Sequence, residues 1–216
     1  MSEKSRRAII GGYIVGMIQT NVWFLHREGS ADAVVTDPAD SGDRIYEALT
    51  QQGLVIRAIL LTHGHFDHIG GLEALRKASG AKVYACEKER HLLSSPQDNL
   101  SAGYNRPTTV RPDVWVREGD LIREAGMTFR VIETPGHTEG SCCYYLEDTG
   151  ASPILLSGDT LFEESVGRTD MPTGSMSDIV RSVKDKLFVL PEDTLVFPGH
   201  GGTTDIGHEK KYNCLV

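Results

Sequence analysis

Residues 63 to 68, His-Gly-His-Phe-Asp-His, place three histidines and an aspartate in six positions. Imidazole nitrogen and carboxylate oxygen are the ligands zinc takes where thiolate is lacking. His63 and His65 stand two apart, so an extended backbone can aim both rings to one side. Asp67 and His68 then turn away with the chain and can serve a second centre. Three further candidates lie downstream: His137 in Thr134-Pro135-Gly136-His137-Thr138, Asp159 in Ser157-Gly158-Asp159-Thr160, and His200 in Phe197-Pro198-Gly199-His200-Gly201. A glycine precedes each, which lets the backbone turn sharply beside a metal or substrate. Five imidazoles and two carboxylates are too many for one tetrahedral zinc. They suit two metals that share a carboxylate and keep positions open for water.

The elements that must hold these groups can be read from periodicity. Val55 to Thr62, rich in Val, Ile and Leu, is predicted to be a strand running straight into the His-rich turn. Met127 to Thr134, Ile154 to Ser157 and Thr194 to Phe197 are predicted strands that end just before His137, Asp159 and His200. Loops at strand ends are where a rigid scaffold presents functional groups. Further strands are expected over Ala8 to Ile18, Val22 to His26, Ala33 to Thr36, Lys82 to Ala85 and Cys142 to Leu146. Helices are expected over Asp40 to Gln52, capped by Asp40 or Ser41, over Gly71 to Ser79, and over Ser177 to Leu190. Ser94 to Pro112 carries three prolines and little periodicity, and reads as a long surface loop. His26, His91 and His208 fall outside the candidate set and read as surface or packing residues. Strand runs with helices between them and no clear linker imply sheets covered by helices in a single domain over residues 1–216.

Composition narrows the function classes. With 22 Lys+Arg against 30 Asp+Glu, the formal charge of the 216 residues is −8, unsuited to a nucleic-acid partner. Apolar runs are short, so no membrane segment is expected. The basic start Met1 to Arg7 leads into a glycine-interrupted strand rather than a signal peptide. Cys86, Cys142, Cys143 and Cys214 form no CxxC pair, and adjacent Cys142 and Cys143 point to opposite faces of a strand. Reduced thiols and a cytoplasmic location are the resulting expectations.

HGHFDH, TPGHT, SGDTLF and PGHG, in that order, resemble the metallo-β-lactamase superfamily, and GDTLF with GHGGTT…GHEKKYN resembles its glyoxalase II-like, hydroxyacylglutathione hydrolase-like branch. The resemblance implies an α+β fold, an αββα sandwich of two packed sheets flanked by helices. It implies that His63, His65 and His137 bind one metal, that Asp67, His68 and His200 bind a second, and that Asp159 bridges them. It implies two Zn2+ ions per chain with a bridging hydroxide, oriented by Asp67 as the catalytic carboxylate, and a small acyl thioester as substrate. Thiolate leaves without a strong acid because its pKa lies near 8.5.

The substrate side departs from the branch. Arg168 keeps a basic residue that could fork onto a substrate carboxylate, or form an ordinary surface ion pair. Asp170 and Gly202 stand where tyrosines are expected, and the chain stops at Val216, before the helical region that helps larger members hold glutathione. A small acyl thioester with a different thiol is the resulting expectation. Gly167-Arg168-Thr169-Asp170 also resembles persulfide dioxygenases, which would place one iron on His63, His65 or His137, and Asp159. A lactonase is a third option, because an ester carbonyl suits the same hydroxide. A purely structural metal module fits poorly, since structural zinc sites are usually built with cysteine and none lies in this cluster.

Overall fold

Apolar alternation decides which face each strand buries. Ala58 and Leu60 of β4 (Val55–Leu61) face one core, whereas Ile59 and Leu61 face another. The same switch occurs in β9 (Cys142–Leu146), where Cys142, Tyr144 and Leu146 oppose Cys143 and Tyr145. Such strands are buried on both sides, which requires a covering layer on each face. Residues 6–216 are described by the structure, a computed structural model; Met1 to Ser5 of the basic start lie outside the described residues.

Two six-stranded sheets meet that requirement. The first has the order β1 (Ala8–Val15), β2 (Thr20–Arg27), β3 (Asp32–Thr36), β4, β5 (Lys82–Cys86) and β6 (Val114–Val116). Its first three strands are antiparallel, and β3 to β6 run parallel. The second has the order β14 (Thr204–Asp205), β13 (Leu195–Pro198), β10 (Ile154–Gly158), β9, β8 (Met127–Glu133) and β7 (Leu121–Glu124). Only β10 and β13 pair in parallel there. A short hairpin joins β11 (Leu161–Phe162) to β12 (Ser165–Val166).

Three apolar layers follow. Leu25, Leu60, Phe129 and Tyr144 fill the space between the sheets. Ile45 and Leu49 of α1 (Gly42–Gln51), with Leu72 and Leu75 of α3 (Leu72–Ser79), cover the outer face of the first sheet. Ile179 of α5 (Met176–Ser182) and Ile206 of α6 (Ile206–Tyr212) cover the second. The result is the α+β, αββα arrangement.

Several boundaries differ from the sequence expectations. β1 stops at Val15 because Gly16 and Gln19 turn the chain with positive φ. α1 starts at Gly42, two residues late, since Ser41 is left-handed and its hydroxyl donates to Asp40 Oδ1 at 3.0 Å rather than capping the helix. The helix expected over Ser177 to Leu190 is α5 followed by one wider turn over Val183–Leu187. The 94–112 segment begins at the end of α4 (Arg90–Ser94) and contains a tight helical turn over Ser101–Tyr104. β6, β7, β14 and α6 were too short or too polar for periodicity to reveal. All four cysteines are free thiols.

The sheets are tied together beside the strand ends. Tyr144 Oη donates to the Leu61 carbonyl at 2.7 Å, and Cys142 N–H donates to the Thr62 carbonyl at 2.9 Å. Tyr144 is fully buried, so losing its hydroxyl leaves that carbonyl only the weak Cys142 thiol, at 3.8 Å, as a side-chain donor. Tyr144→Phe is expected to lower unfolding free energy by about 1–2 kcal/mol. Urea denaturation of the two proteins checks this, with a change under about 0.3 kcal/mol contradicting it.

Candidate metal centre

Every candidate ligand sits just past the carboxyl end of a strand, at one edge of the paired sheets. His63 and His65 follow β4, and Asp67 and His68 lie on α2 (Phe66–Ile69), a single turn of helix. His137 follows β8, Asp159 follows β10 and His200 follows β13. Close approach at this edge depends on glycine. A Cβ on Gly199 would collide with Asp159 Oδ1 and come within 2.6 Å of His68 Cε1. Gly158, at φ +50°, brings β10 against the Thr62 side chain.

Six of the seven residues converge into two trios. Ligand atoms of His63, His65 and His137 lie within 4.8 Å of one another, as do those of Asp67, His68 and His200. Asp159 stands between the trios: its oxygens are 3.3 Å from His68 Nε2, 3.5 Å from His137 Nε2 and 3.6 Å from His200 Nε2. His200 Nε2 also lies 3.2 Å from Asp67 Oδ2.

Three of the rings have their outer nitrogen engaged, whereas His65 Nδ1 faces His137 Nε2 at 2.9 Å within the first trio. His68 Nδ1 faces Asp37 Oδ2 at 3.1 Å, His137 Nδ1 donates to the Arg168 carbonyl at 2.7 Å, and His63 Nδ1 lies 3.1 Å from Thr62 Oγ1. Such contacts fix the ring orientation and leave Nε2 for the centre. Five buried side-chain atoms among the described residues have no hydrogen-bond partner, and four of them are His63 Nε2, His65 Nε2, His68 Nε2 and Asp159 Oδ1. Buried polar atoms are normally paired, and all four belong to the seven clustered residues. Cations on the two trios would engage the orphaned atoms that face them, so the donor set fits metal.

Electrostatics divides the histidines. Burial, reinforced by the neighbouring rings, holds His63 well below its ordinary pKa and brings His65 down to about 3. Burial also works against charge on His68, but Asp159 and Asp67 outweigh it and raise its pKa well above normal. His200 is likewise raised: burial is overcome by Asp67 and Asp159. Burial pushes Asp159 and Asp67 upward, yet the adjacent imidazoles hold both carboxylates below their ordinary range.

Two supporting carboxylates were not singled out from sequence. Asp37 accepts from Thr62 N–H at 2.8 Å and Thr62 Oγ1 at 2.6 Å while orienting His68. Its position after β3 follows the same strand-end rule and was the available signal. Glu89 carried no signal. It is 1% exposed, and burial pushes its pKa up to about 7. It accepts from Gly64 N–H at 2.8 Å and Thr138 Oγ1 at 3.1 Å, clamping the turn between His63 and His65 to the residue after His137. Arg168 lines the pocket, but its fork is taken by Asp170, with Nε and Nη2 each 2.7 Å from a carboxylate oxygen.

A family model described as the metallo-beta-lactamase superfamily matches residues 15–200. The chain belongs to the metallo-β-lactamase superfamily. Membership and the clustered His and Asp groups indicate a metal cofactor and hydrolase chemistry. Within the superfamily, the chain is similar to hydroxyacylglutathione hydrolase GloC of Haemophilus influenzae, at 31% identity over 86% of this chain and 87% of GloC. It is similar to the crystal structure of BLEG-1 B3 metallo-beta-lactamase, with TM-score 0.89, 38% identity, and coverage of 95% of this chain and 98% of that one. It is also similar to TTHA1623 in a di-iron-bound form, with TM-score 0.82, 32% identity, and coverage of 95% and 100%. Likeness to GloC agrees with the glyoxalase II-like resemblance. The described residues contain no helix long and apolar enough to cross a membrane.

Because Glu89 joins two ligand turns without touching a ligand, its removal tests positioning. Glu89→Ala is expected to weaken metal affinity roughly ten- to hundred-fold. Competition with a chelator measures it, and unchanged affinity in the folded variant refutes the clamp.

Proposed function

We propose that this protein hydrolyses small-molecule acyl thioesters with two metal ions, zinc by preference. His63, His65 and His137 would hold one and Asp67, His68 and His200 the other, with Asp159 available to both. The placement of Asp159 between the trios, with its own Oδ1 and a nitrogen on each of His63, His65 and His68 left without a partner, carries the reading. When bound, such a pair of ions lowers the pKa of a water towards 7 and polarises a carbonyl oxygen.

The remaining steps belong to the chain. Asp67 orients the attacking water and accepts its proton. Its Oδ2 is steadied by Thr20 Oγ1 at 3.4 Å and by His200. As oxygen adds to the acyl carbon, the C–S bond breaks and sulfur takes the electron pair. Beyond the proposed ligands, the titratable residues lining this cavity of about 420 Å³ are Tyr104 and Arg168. A thiolate leaving group needs no strong acid, and that sparse lining favours thioesters over amides. Arg168 would receive a substrate carboxylate at the rim by exchange with Asp170, which is exposed beside it.

Likeness to GloC supports the thioester reading, and likeness to a di-iron-bound protein supports iron as the alternative metal. Likeness to BLEG-1 adds β-lactams to the substrates worth assaying. Elemental analysis of natively purified protein, with kcat/KM for thioesters, lactones and a cephalosporin and oxygen uptake with a persulfide, separates these readings. We expect two metals per chain, highest kcat/KM on a thioester, and loss of activity on chelation or in His63→Ala. Full thioesterase activity in verified metal-free protein would defeat the proposal.

The ligand trios also differ in proton competition. Metal needs neutral imidazole. His63 and His65 already favour that form, whereas His68 and His200 hold protons to higher pH and must release them first. Stepwise acidification from about pH 8 to about pH 5 should therefore empty the Asp67–His68–His200 trio first. Metal content after dialysis should pass through a plateau at one ion per chain, and simultaneous loss of both contradicts this order.

A further inference from the structure

A second and larger cleft, about 730 Å³, opens on the other side of Asp67. Ile18, Phe66, Asp67 and Tyr104 line both it and the metal cavity, so the two are lobes of one site joined at Asp67. Two facing walls of the larger lobe are apolar, while Thr20, Asp40, Arg106 and Thr108 supply polar groups around them. Tyr104 stacks on Phe66 with ring centroids 3.9 Å apart and planes 19° from parallel. Met17 and Ile18, at the tip of the β1–β2 hairpin, are 80% and 40% exposed across from that stack.

The wall is preformed. Buried Asn99 accepts the Phe66 N–H through its carbonyl at 2.9 Å and donates from Nδ2 to the Thr108 carbonyl at 2.9 Å. Ser101 Oγ accepts the Thr108 N–H at 2.9 Å. These bonds pin the 94–112 loop to α2, the helix that carries Asp67 and His68. At the far end Arg106 Nη1 meets Asp40 Oδ2 at 3.0 Å, so the one cation there is already balanced. An uncharged apolar group suits such a lobe.

We propose that this lobe binds the acyl group of the substrate, and that the group is bulky and apolar, an aryl or branched alkyl chain. The assignment rests on the thioester reading for the bond that is cut. The attacked carbon must lie beside Asp67, at the neck, so its two substituents depart into different lobes. The thiol half, with any carboxylate, runs towards Arg168 in the smaller lobe, and the acyl half runs over the Phe66–Tyr104 stack.

Two measurements on the metal-loaded full chain test this. In the first, kcat/KM is compared for acetyl and phenylacetyl thioesters of one thiol. Covering the ring should favour phenylacetyl about ten-fold or more. Tyr104→Ala should lower the phenylacetyl value at least several-fold more than the acetyl value. In the second, calorimetry compares phenylacetohydroxamate with acetohydroxamate, which needs no turnover. The phenyl compound should bind the wild type about ten-fold tighter, and both Tyr104→Ala and Met17→Ala, the latter at a residue that lines the larger lobe alone, should reduce that difference. Equal affinity of the two hydroxamates, or a difference that Met17→Ala leaves intact, overturns the lobe assignment. A retained hydroxamate difference with no thioester cleaved defeats the thioester reading and upholds the lobe.

Discussion

Gathering five imidazoles and two carboxylates at one sheet edge, four of the imidazoles buried, is the constraint on which the rest of the structure depends. His63, His65, His68 and His137 are each 2% exposed or less, and several of their nitrogens have no protein partner. Polar atoms in that condition oppose folding unless something else pairs them. Two features offset the cost: cations that the arrangement suits, and a frame of hydrogen bonds that leaves each ring little freedom to turn elsewhere.

That frame is built where the two sheets meet. Tyr144 and Cys142 of one sheet bond to carbonyls at the end of β4 in the other, so the His-rich turn starts from a point fixed by both. Asp37 holds Thr62 and His68 together, and Glu89 holds the His63–His65 turn to the His137 turn. Each support joins segments far apart in the chain. The metal centre is therefore preorganised by contacts among strands rather than by any one loop, which favours catalysis that needs little rearrangement.

The same frame shapes the access to the centre. Asn99 fastens the 94–112 loop to α2, so a proline-containing segment with little periodicity becomes a rigid wall beside Asp67. The wall divides the site into a small lobe near Arg168 and a large one near Met17, with Tyr104 lining both. The centre would provide the reaction and the lobes its selectivity, and the two sets of residues overlap at Asp67.

Much of this was legible along the chain. The HGHFDH run, the strand-end glycines and the apolar alternation of β4 and β9 are local features, and local features carry the element types and the ligand candidates. Boundaries failed where backbone geometry overrode propensity, as at left-handed Ser41. Glu89 and Tyr104 were invisible because a lone glutamate among charged neighbours, or a tyrosine in a loop, has no signature until distant segments pack against it. Arg168 shows the same limit: its charge was evident, but its pairing with Asp170 needed coordinates. Residue type and spacing determined the chemistry available to this protein, because donor atoms and turn residues are properties of short segments. Packing decided which donors meet, which carboxylates orient them and where a substrate can lie, because those are distances between residues that the chain alone keeps far apart.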